Sequence, residues 1–235
     1  MSRSYNQDCI LAFALDMLGE RWTMLILREL FLGPLRFGDI QAALPGIGAN
    51  LLSKRLKYLE QADLVVGTDG SRARYRLTEQ GKALRPVVRA MMLWSIKYFM
   101  DRPEPSEARD CVYSDDLNPD SVALAIELMA NLKPDPHSNY VAHVFIDDDP
   151  YSFFFMNDEM TARRGVDVPA VASLSCDVGT FMKAMRQEVT SGEFNSIARM
   201  SGDQSVLKHF VNGISHGGRV EEEVAKLIEA DAAQK

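Results

Sequence analysis

The chain has 235 residues, of which 46% are hydrophobic, 25% charged and 9% aromatic. These values are typical of a globular protein and exclude a disordered or collagen-like chain. It contains no stretch of about 18 apolar residues that could span a membrane, and its first residues do not resemble a signal peptide. Three cysteines (Cys9, Cys111 and Cys176) are too few and too scattered for a disulfide framework, so we expect a reducing, cytoplasmic setting.

Charge is distributed unevenly along the chain. Up to Arg102 there are 15 lysines and arginines against 10 aspartates and glutamates, whereas the remaining residues include 11 basic and 23 acidic ones. This asymmetry indicates two parts with different tasks, the first of them suited to nucleic acid. A Pro-rich stretch after Arg102 marks the boundary, because proline disfavours helix in the residue before it. The predicted domains are 1–102 and 118–214, with a linker at 103–117 and an amphipathic helix at 215–235.

Amphipathic helices dominate the first part. Apolar residues recur at helical spacing over 9–18, with Gly19 as a predicted C′ residue, and again over 22–31. A short segment at 37–44 precedes a further amphipathic helix at 50–61. That helix has leucines on one side and polar and basic residues on the other.

The pattern then changes to that of a β-hairpin. Short strands at 64–66 and 72–77 flank a turn and give the hairpin a basic tip. Thr78 is predicted to cap a long helix that runs to about Met100.

Three short helices, a polar basic helix and a basic hairpin together predict a winged helix-turn-helix. The major groove of DNA accepts one helix, whose polar side chains reach base edges, and surrounding lysines and arginines neutralise phosphates. The predicted DNA-binding residues are Arg36, Asn50, Ser53, Lys54, Arg55, Lys57, Arg72 and Arg74. The alternative is that Lys54, Arg55 and Lys57 form only a solvated helix face.

A series of motifs runs through residues 9–101. They include Gly19-Glu20-Arg21-Trp22-Thr23, Arg36-Phe37, Leu44-Pro45-Gly46-Ile47, Leu52-Ser53-Lys54-Arg55-Leu56 and Tyr75-Arg76-Leu77-Thr78. In order and spacing they resemble the HxlR group of bacterial winged-helix regulators, relatives of the MarR type. The resemblance implies a homodimer that binds double-stranded operator DNA through two copies of the 50–61 helix, with the first helix and the 79–100 helix at the dimer interface. The sequence departs from the group at Asp63, where a glycine is usual, and at Gly67, where a basic residue is common.

Cys9 has two interpretations. In some members of this group the cysteine at this position is a redox sensor for oxidants or electrophiles, which requires an accessible thiolate with a lowered pKa. Asp8 beside it would raise that pKa, and a lone cysteine on an apolar helical face is more often packed in a core.

The second part predicts an α+β domain. Asn118-Pro119-Asp120 is typical of a helix start, and the helix that follows is apolar almost all round. Strands at 140–146 and 151–156, joined by an acidic turn, have two mostly apolar faces, so we expect this sheet to be buried on both sides or to line a cavity. The other predicted elements are strands at 160–164, 171–176 and 197–200, a helix from Asp177 that ends before Gly192, and a helix at 204–213.

The order of elements over 118–214 resembles the sterol carrier protein type 2 fold, with Gly165, Asp177, Gly192 and Gly202 at matching turns. The resemblance implies a tunnel for an apolar ligand between sheet and helices. Candidate ligand-binding residues, which carry the aromatic and thioether side chains suited to an adaptable apolar site, are Phe153, Phe154, Phe155, Met156, Phe181, Met182, Met185 and Phe210. The alternative is that these side chains are packed core.

The sequence contains no catalytic or metal motif of high specificity. Its histidines lack metal-ligand spacing against the cysteines, and Ser205 and Lys208 match S-x-x-K without the companion motifs. We therefore predict a two-domain α+β transcriptional regulator, not an enzyme, with no cofactor and no metal, that binds DNA and senses a small apolar effector. The alternatives are a lipid carrier whose helical half only dimerises, and an esterase-like enzyme that uses Ser205 and Lys208.

Overall fold

The computed structural model describes residues 4–68, 73–95, 117–129, 139–157, 159–185 and 188–215. Contacts divide the chain into two compact units, Met1–Val88 and Arg89–Lys235. The predicted linker and C-terminal helix lie almost entirely outside the described residues. Among the described helices, none is both long and apolar enough to cross a bilayer.

The first unit consists of helices and a two-stranded hairpin. The helices are α1 (Ile10–Leu18), α2 (Thr23–Phe31), α3 (Phe37–Ala43), α4 (Ala49–Gln61), α5 (Glu79–Lys82) and α6 (Arg85–Ser95), the last of which ends in the second unit. Strands β1 (Val65–Gly67) and β2 (Tyr75–Leu77) pair antiparallel, and Leu35 forms an isolated bridge with Tyr75. Helices α3 and α4 followed by this hairpin confirm the predicted winged helix-turn-helix.

Aliphatic side chains of α2, α3 and α4 are buried in the first unit. Ile26, Leu27, Ile40, Leu52 and Leu59 have no exposed surface. Burying one such side chain stabilises a fold by roughly 1.5–3 kcal/mol. These contacts hold the helix-turn-helix as one body.

The long helix predicted from Thr78 is interrupted. The Thr78 hydroxyl does accept a hydrogen bond from the Gly81 amide, at 3.0 Å, but the helix that it caps ends at Lys82. A new helix begins at Arg85, with Pro86 in its first turn. Proline has no N–H and its ring would clash with the carbonyl of Lys82 in a continuous helix, so the chain restarts there.

The connection between α1 and α2 also differs from the prediction. Gly19 has right-handed backbone angles (φ −73°) and is not the left-handed C′ residue expected. The left-handed residue is Trp22, with φ +79°, directly before α2. Asp63 has φ +55°, which explains why a glycine suits this position in the resembling group.

The second unit is a five-stranded mixed sheet with helices. Its elements are α7 (Pro119–Met129), β3 (Tyr140–Ile146), β4 (Asp149–Met156), β5 (Glu159–Arg164), β6 (Ala172–Cys176), α8 (Val178–Met185), α9 (Ser191–Ile197), β7 (Arg199–Gly202) and α10 (Gln204–Ser215). The strand order is β5-β4-β3-β6-β7, and β3 and β6 are the parallel pair. The predicted α+β composition of this part is confirmed.

Helix α7 begins as the sequence predicts and is anchored at its first turn. Asn118 Oδ1 accepts a hydrogen bond from the Asp120 amide at 2.8 Å. The Asp120 carboxylate then accepts from Arg164 at 2.7–2.9 Å and from the Tyr151 hydroxyl at 2.8 Å. Burial and the Asp120 charge raise the pKa of Tyr151, so its hydroxyl stays a donor.

The region after α8 was wrongly predicted. Thr190 caps the separate helix α9, with reciprocal hydrogen bonds to Glu193, so Gly192 lies in the first turn of that helix and does not follow the end of α8. This capping box satisfies the first free amides of a helix. Strand β7 accordingly begins at Arg199, two residues later than expected.

The two faces of the sheet differ in burial. On β4, Tyr151, Phe153 and Phe155 are at most 2% exposed, whereas Phe154 is half-buried and Met156 is exposed. Side chains of adjacent strand residues point to opposite faces. Only one face is therefore fully buried among the described residues, not both.

Candidate nucleic-acid interface

One side of α4 is polar and exposed. Asn50, Ser53, Lys54 and Lys57 are all exposed, while leucines at positions 52, 56 and 59 on the opposite side are at most 1% exposed. This spacing follows the 3.6-residue period of an amphipathic helix. The buried leucines thus fix which side of α4 faces outward, and that side carries four of the predicted DNA-binding residues.

Arg55 is placed differently from its neighbours. Its side chain is 17% exposed and forms an ion pair with Glu20, with 2.6 Å between Nη2 and Oε2. Glu20 lies in the loop between α1 and α2. The sequence grouped Arg55 with Lys54 and Lys57, but the structure directs it toward another part of its own unit.

The start of α3 and the hairpin contribute further predicted basic residues. Arg36 and Arg74 are exposed, whereas Arg72 lies outside the described residues. The base of the hairpin is tied together by the Thr68 amide, which donates to the Arg74 carbonyl at 2.9 Å, and by the Arg74 amide, which donates to the Thr68 hydroxyl at 2.9 Å. Arg36 and Arg74 are therefore available to a polyanion.

Glu60 is a residue that sequence reasoning missed. Its Oε1 accepts a hydrogen bond from the Gly67 amide at 3.1 Å and so joins the end of α4 to the hairpin. A Cβ at position 67 would lie 2.7 Å from that oxygen, which explains the glycine. No sequence motif indicates a hydrogen bond between a glutamate side chain and an amide seven residues away, so this contact could not be predicted.

The aromatic residues predicted to bind a ligand lie mostly in the core of the second unit. Phe153 packs edge-on against Phe210, with 5.3 Å between ring centroids, and Phe181 lies 5.8 Å from Phe194. Phe155 stacks on a tyrosine of β3 at 5.2 Å. The rings of this set that point to the buried face therefore pack against protein side chains.

The rest of that predicted set is not gathered at one place. Met185 is buried and Met182 half-buried, both on α8. Phe154 and Met156 point to the less buried face of the sheet, where the guanidinium of Arg163 lies 4.9 Å from the Phe154 ring. Residues on opposite faces of one sheet cannot line one tunnel.

A cavity of about 260 Å³ lies at one end of the second unit. It is lined by Asp147, Asp148, Ser175, Cys176, Asp177, Ile197 and Arg199. None of the predicted ligand-binding residues lines it. Within the described ranges, no group of three His, Cys, Asp or Glu side chains is arranged to hold a metal ion.

The comparisons with known proteins concern the N-terminal part of the chain. Residues 17–103 match the family model described as HxlR-like helix-turn-helix. The uncharacterized HTH-type transcriptional regulator YvaP of Bacillus subtilis is 38% identical over 89 residues, which cover 36% of this chain and 82% of YvaP. The chain belongs to the HxlR family.

Two further proteins are similar to the same part of the chain. The uncharacterized HTH-type transcriptional regulator Rv3095 of Mycobacterium tuberculosis is 43% identical over 95 residues, which cover 39% of this chain and 59% of that relative. The crystal structure of quinone-bound YodB from B. subtilis is 38% identical, covers 37% of this chain and 97% of that chain, and has a TM-score of 0.35. The family match ends at residue 103 and does not include the five-stranded sheet.

The two described cysteines differ in exposure. Cys9 lies directly before α1 in the first unit and is exposed, whereas Cys176 in β6 is half-buried. Burial and the neighbouring Asp177 and Asp147 raise the pKa of the Cys176 thiol to about 12. Because the thiolate is the reactive form of cysteine, a raised pKa lowers the reactivity of Cys176 at neutral pH.

We predict that iodoacetamide at pH 7 alkylates Cys9 in the native protein at least tenfold faster than Cys176. Peptide mass spectrometry at increasing reaction times measures both rates. Protein unfolded in guanidinium is the control, in which both cysteines become accessible. Equal alkylation of the two in the native protein would contradict the placement of Cys176.

Proposed function

We propose that α4 is the recognition helix of a homodimeric HxlR-type transcriptional regulator and that the second unit receives a small apolar effector. The observation that carries the first claim is the exposed polar side of α4 above its buried leucines. An α-helix fits the major groove, where asparagine and serine can hydrogen-bond base edges or phosphates. Lys54 and Lys57 supply positive charge to the flanking phosphates.

The basic residues outside α4 also support the proposal that the exposed side of this helix faces DNA. Arg36 before α3 and Arg74 in the hairpin are exposed arginines of the same unit. In a winged helix-turn-helix, the hairpin reaches the phosphate backbone beside the groove that receives the recognition helix. Arg72, at the predicted tip of the hairpin, is proposed to do the same.

An uncovered apolar helix supports a homodimer. On α1, Ile10 is 90% exposed and Leu11 and Phe13 are each 66% exposed, while Ala12 is buried. On α6, Met91 and Trp94 are 53% and 52% exposed. Exposed apolar patches of this kind mark protein–protein interfaces, and a two-fold partner that covers α1 would present two α4 helices to half-sites about one turn of DNA apart.

The effector proposal rests on the composition of the second unit. This unit has its own sheet and buried core, extends far beyond residue 103, where the family match ends, and is rich in phenylalanine and methionine. Such side chains adapt readily to apolar ligands. Because Phe153 packs on Phe210, an effector has to part these rings to enter.

The alternative functions receive less support. HxlR membership favours a regulator over a lipid carrier whose helical half only dimerises. Ser205, the nucleophile of the esterase alternative, donates its hydroxyl to Asp203 at 2.6 Å in the cap of α10. A hydroxyl used in capping favours a structural role, and the absence of enzymatic activity stays a prediction.

We expect Lys57→Ala to weaken binding to a DNA duplex selected by the wild-type protein from a genomic library. In the proposed dimer this substitution removes one phosphate contact from each of two protomers, which lowers the steepness of log K against log salt by about 1.8, or about 0.9 for each contact. Fluorescence anisotropy at several salt concentrations measures the slope. Lys183→Ala is the matched control, since it removes the same charge from an exposed site on α8 and should leave the slope unchanged. An unchanged slope for Lys57→Ala would count against α4 as the DNA-facing helix.

We expect Phe13→Asp to convert the dimer to a monomer, because a carboxylate on α1 cannot be buried unpaired between two copies. Light scattering coupled to size-exclusion chromatography measures the mass. Val171→Asp, at a position that is 51% exposed in the second unit, should leave the dimer intact. A wild-type protein that is monomeric at all concentrations would refute the dimer.

We expect native mass spectrometry of the freshly purified full chain to show an additional mass from a bound apolar compound. The identified compound, added at about 100 times its Kd, should stabilise the protein by about 2.7 kcal/mol, measured as a rise in melting temperature. A protein that is free of ligand and whose melting is unchanged by fatty acids and apolar aromatic compounds would contradict the effector proposal.

A further inference from the structure

The recognition helix is bound to the end of α1 by two side chains. Arg55 pairs with Glu20 at 2.6 Å, and the Tyr58 hydroxyl, three residues further along α4, donates to the main-chain oxygen of Asp16 at 3.2 Å. Three and four residues apart on a helix is the spacing of one face. Arg55 and Tyr58 thus form a polar edge of α4 that points to α1 and its following loop.

The same end of α1 also holds the N-terminal segment. The Asp16 carboxylate accepts a hydrogen bond from the Ser4 hydroxyl at 2.9 Å and from the Tyr5 amide at 2.9 Å. Asp16 therefore binds the residues before α1 through its side chain and α4 through its carbonyl. Movement of α1 cannot occur without a change in one of these contacts.

The residue that follows the loop after α1 lies beside the turn that precedes α4. Gly46, two residues before the Gly48 cap, has φ +96°, and a Cβ there would lie 3.6 Å from Cη2 of Trp22. The Trp22 ring therefore rests on the turn that leads into α4. The short segment from Glu20 to Trp22 therefore contacts the middle of α4 through Glu20 and lies beside the turn before α4 through Trp22.

We propose that the ion pair between Glu20 and Arg55 is a positioning contact that sets the angle of α4 to α1, and that Arg55 is not a phosphate ligand. This inference rests on the proposed placement of α4 in the major groove. The carboxylate already neutralises the guanidinium charge, so Arg55 releases few counterions on DNA binding. Because α1 carries the apolar surface proposed to meet a second copy, the pair joins the partner-facing helix to the DNA-facing helix.

The direction in which Glu20→Gln changes the affinity for DNA distinguishes a positioning role of Arg55 from a role as phosphate ligand. Glu20→Gln removes a negative charge close to α4, so by electrostatics alone it strengthens binding to a polyanion. If Arg55 were a phosphate ligand, Glu20→Gln would also free it and strengthen binding further. As a positioning contact, its loss weakens binding, and we expect about a tenfold lower affinity, which is typical of a coupling between two elements.

The experiment measures anisotropy of the full-length protein on the duplex selected by the wild type from a genomic library. Glu20→Gln and Arg55→Ala are each expected to weaken binding by about tenfold, and the exchanged pair Glu20→Arg with Arg55→Glu is expected to bind more tightly than Arg55→Ala. Circular dichroism melting checks that each variant is folded, and Glu20→Gln preserves the shape of a side chain that is 38% exposed.

Two outcomes separate this inference from the proposed function. If Lys57→Ala lowers the salt slope but Glu20→Gln binds as tightly as the wild type or more tightly, the positioning role is overturned and the recognition helix stands. If Lys57→Ala has no effect on DNA binding, the placement of α4 is wrong and the inference falls with it. An exchanged pair that binds no better than Arg55→Ala also overturns the positioning role.

Discussion

The burial of three leucines fixes the orientation of α4, and the DNA-binding role proposed for this helix depends on that orientation. Leu52, Leu56 and Leu59 are at most 1% exposed and lie at helical spacing. Rotating the helix by half a turn about its axis would expose all three leucines, at a cost of roughly 1.5–3 kcal/mol for each side chain. The polar side of α4 is therefore exposed because burial of the apolar side is strongly favoured.

Apolar burial alone leaves the tilt of such a helix weakly determined, because the hydrophobic effect is non-directional. The directional contacts lie at the edges of the leucine stripe. Arg55 and Tyr58 meet the end of α1, and Glu60 meets the hairpin at Gly67. Leucines set the rotation of α4 about its axis, and these polar contacts limit its remaining freedom, so both are needed to present a constant surface to a groove.

Sequence patterns predicted the elements that depend on local periodicity. They did not predict contacts between residues that are distant in the sequence. The apolar side of α4, the hairpin and the Asn118 cap could all be predicted because each depends on residues that are close together in the sequence. Arg55 was grouped with Lys54 because the two are adjacent in sequence, and only the fold brings Glu20 to it across 35 residues. The start of α9 was different: Thr190 and Glu193 form a readable capping box, which the apolar pattern extending from α8 concealed.

The second unit shows the same limit on a larger scale. Alternating aromatics on β4 predict a strand with two apolar faces, yet the pattern cannot say how many layers of helix cover them, and here one face is left half-buried. The residues after Arg102 carry a strong excess of acidic groups, which suits them poorly to DNA phosphates. The proposed effect of an effector on DNA binding therefore requires a change within the protein and not a direct contact of these acidic residues with DNA. Helix α6 has residues in both units, since it begins at Arg85 and ends at Ser95.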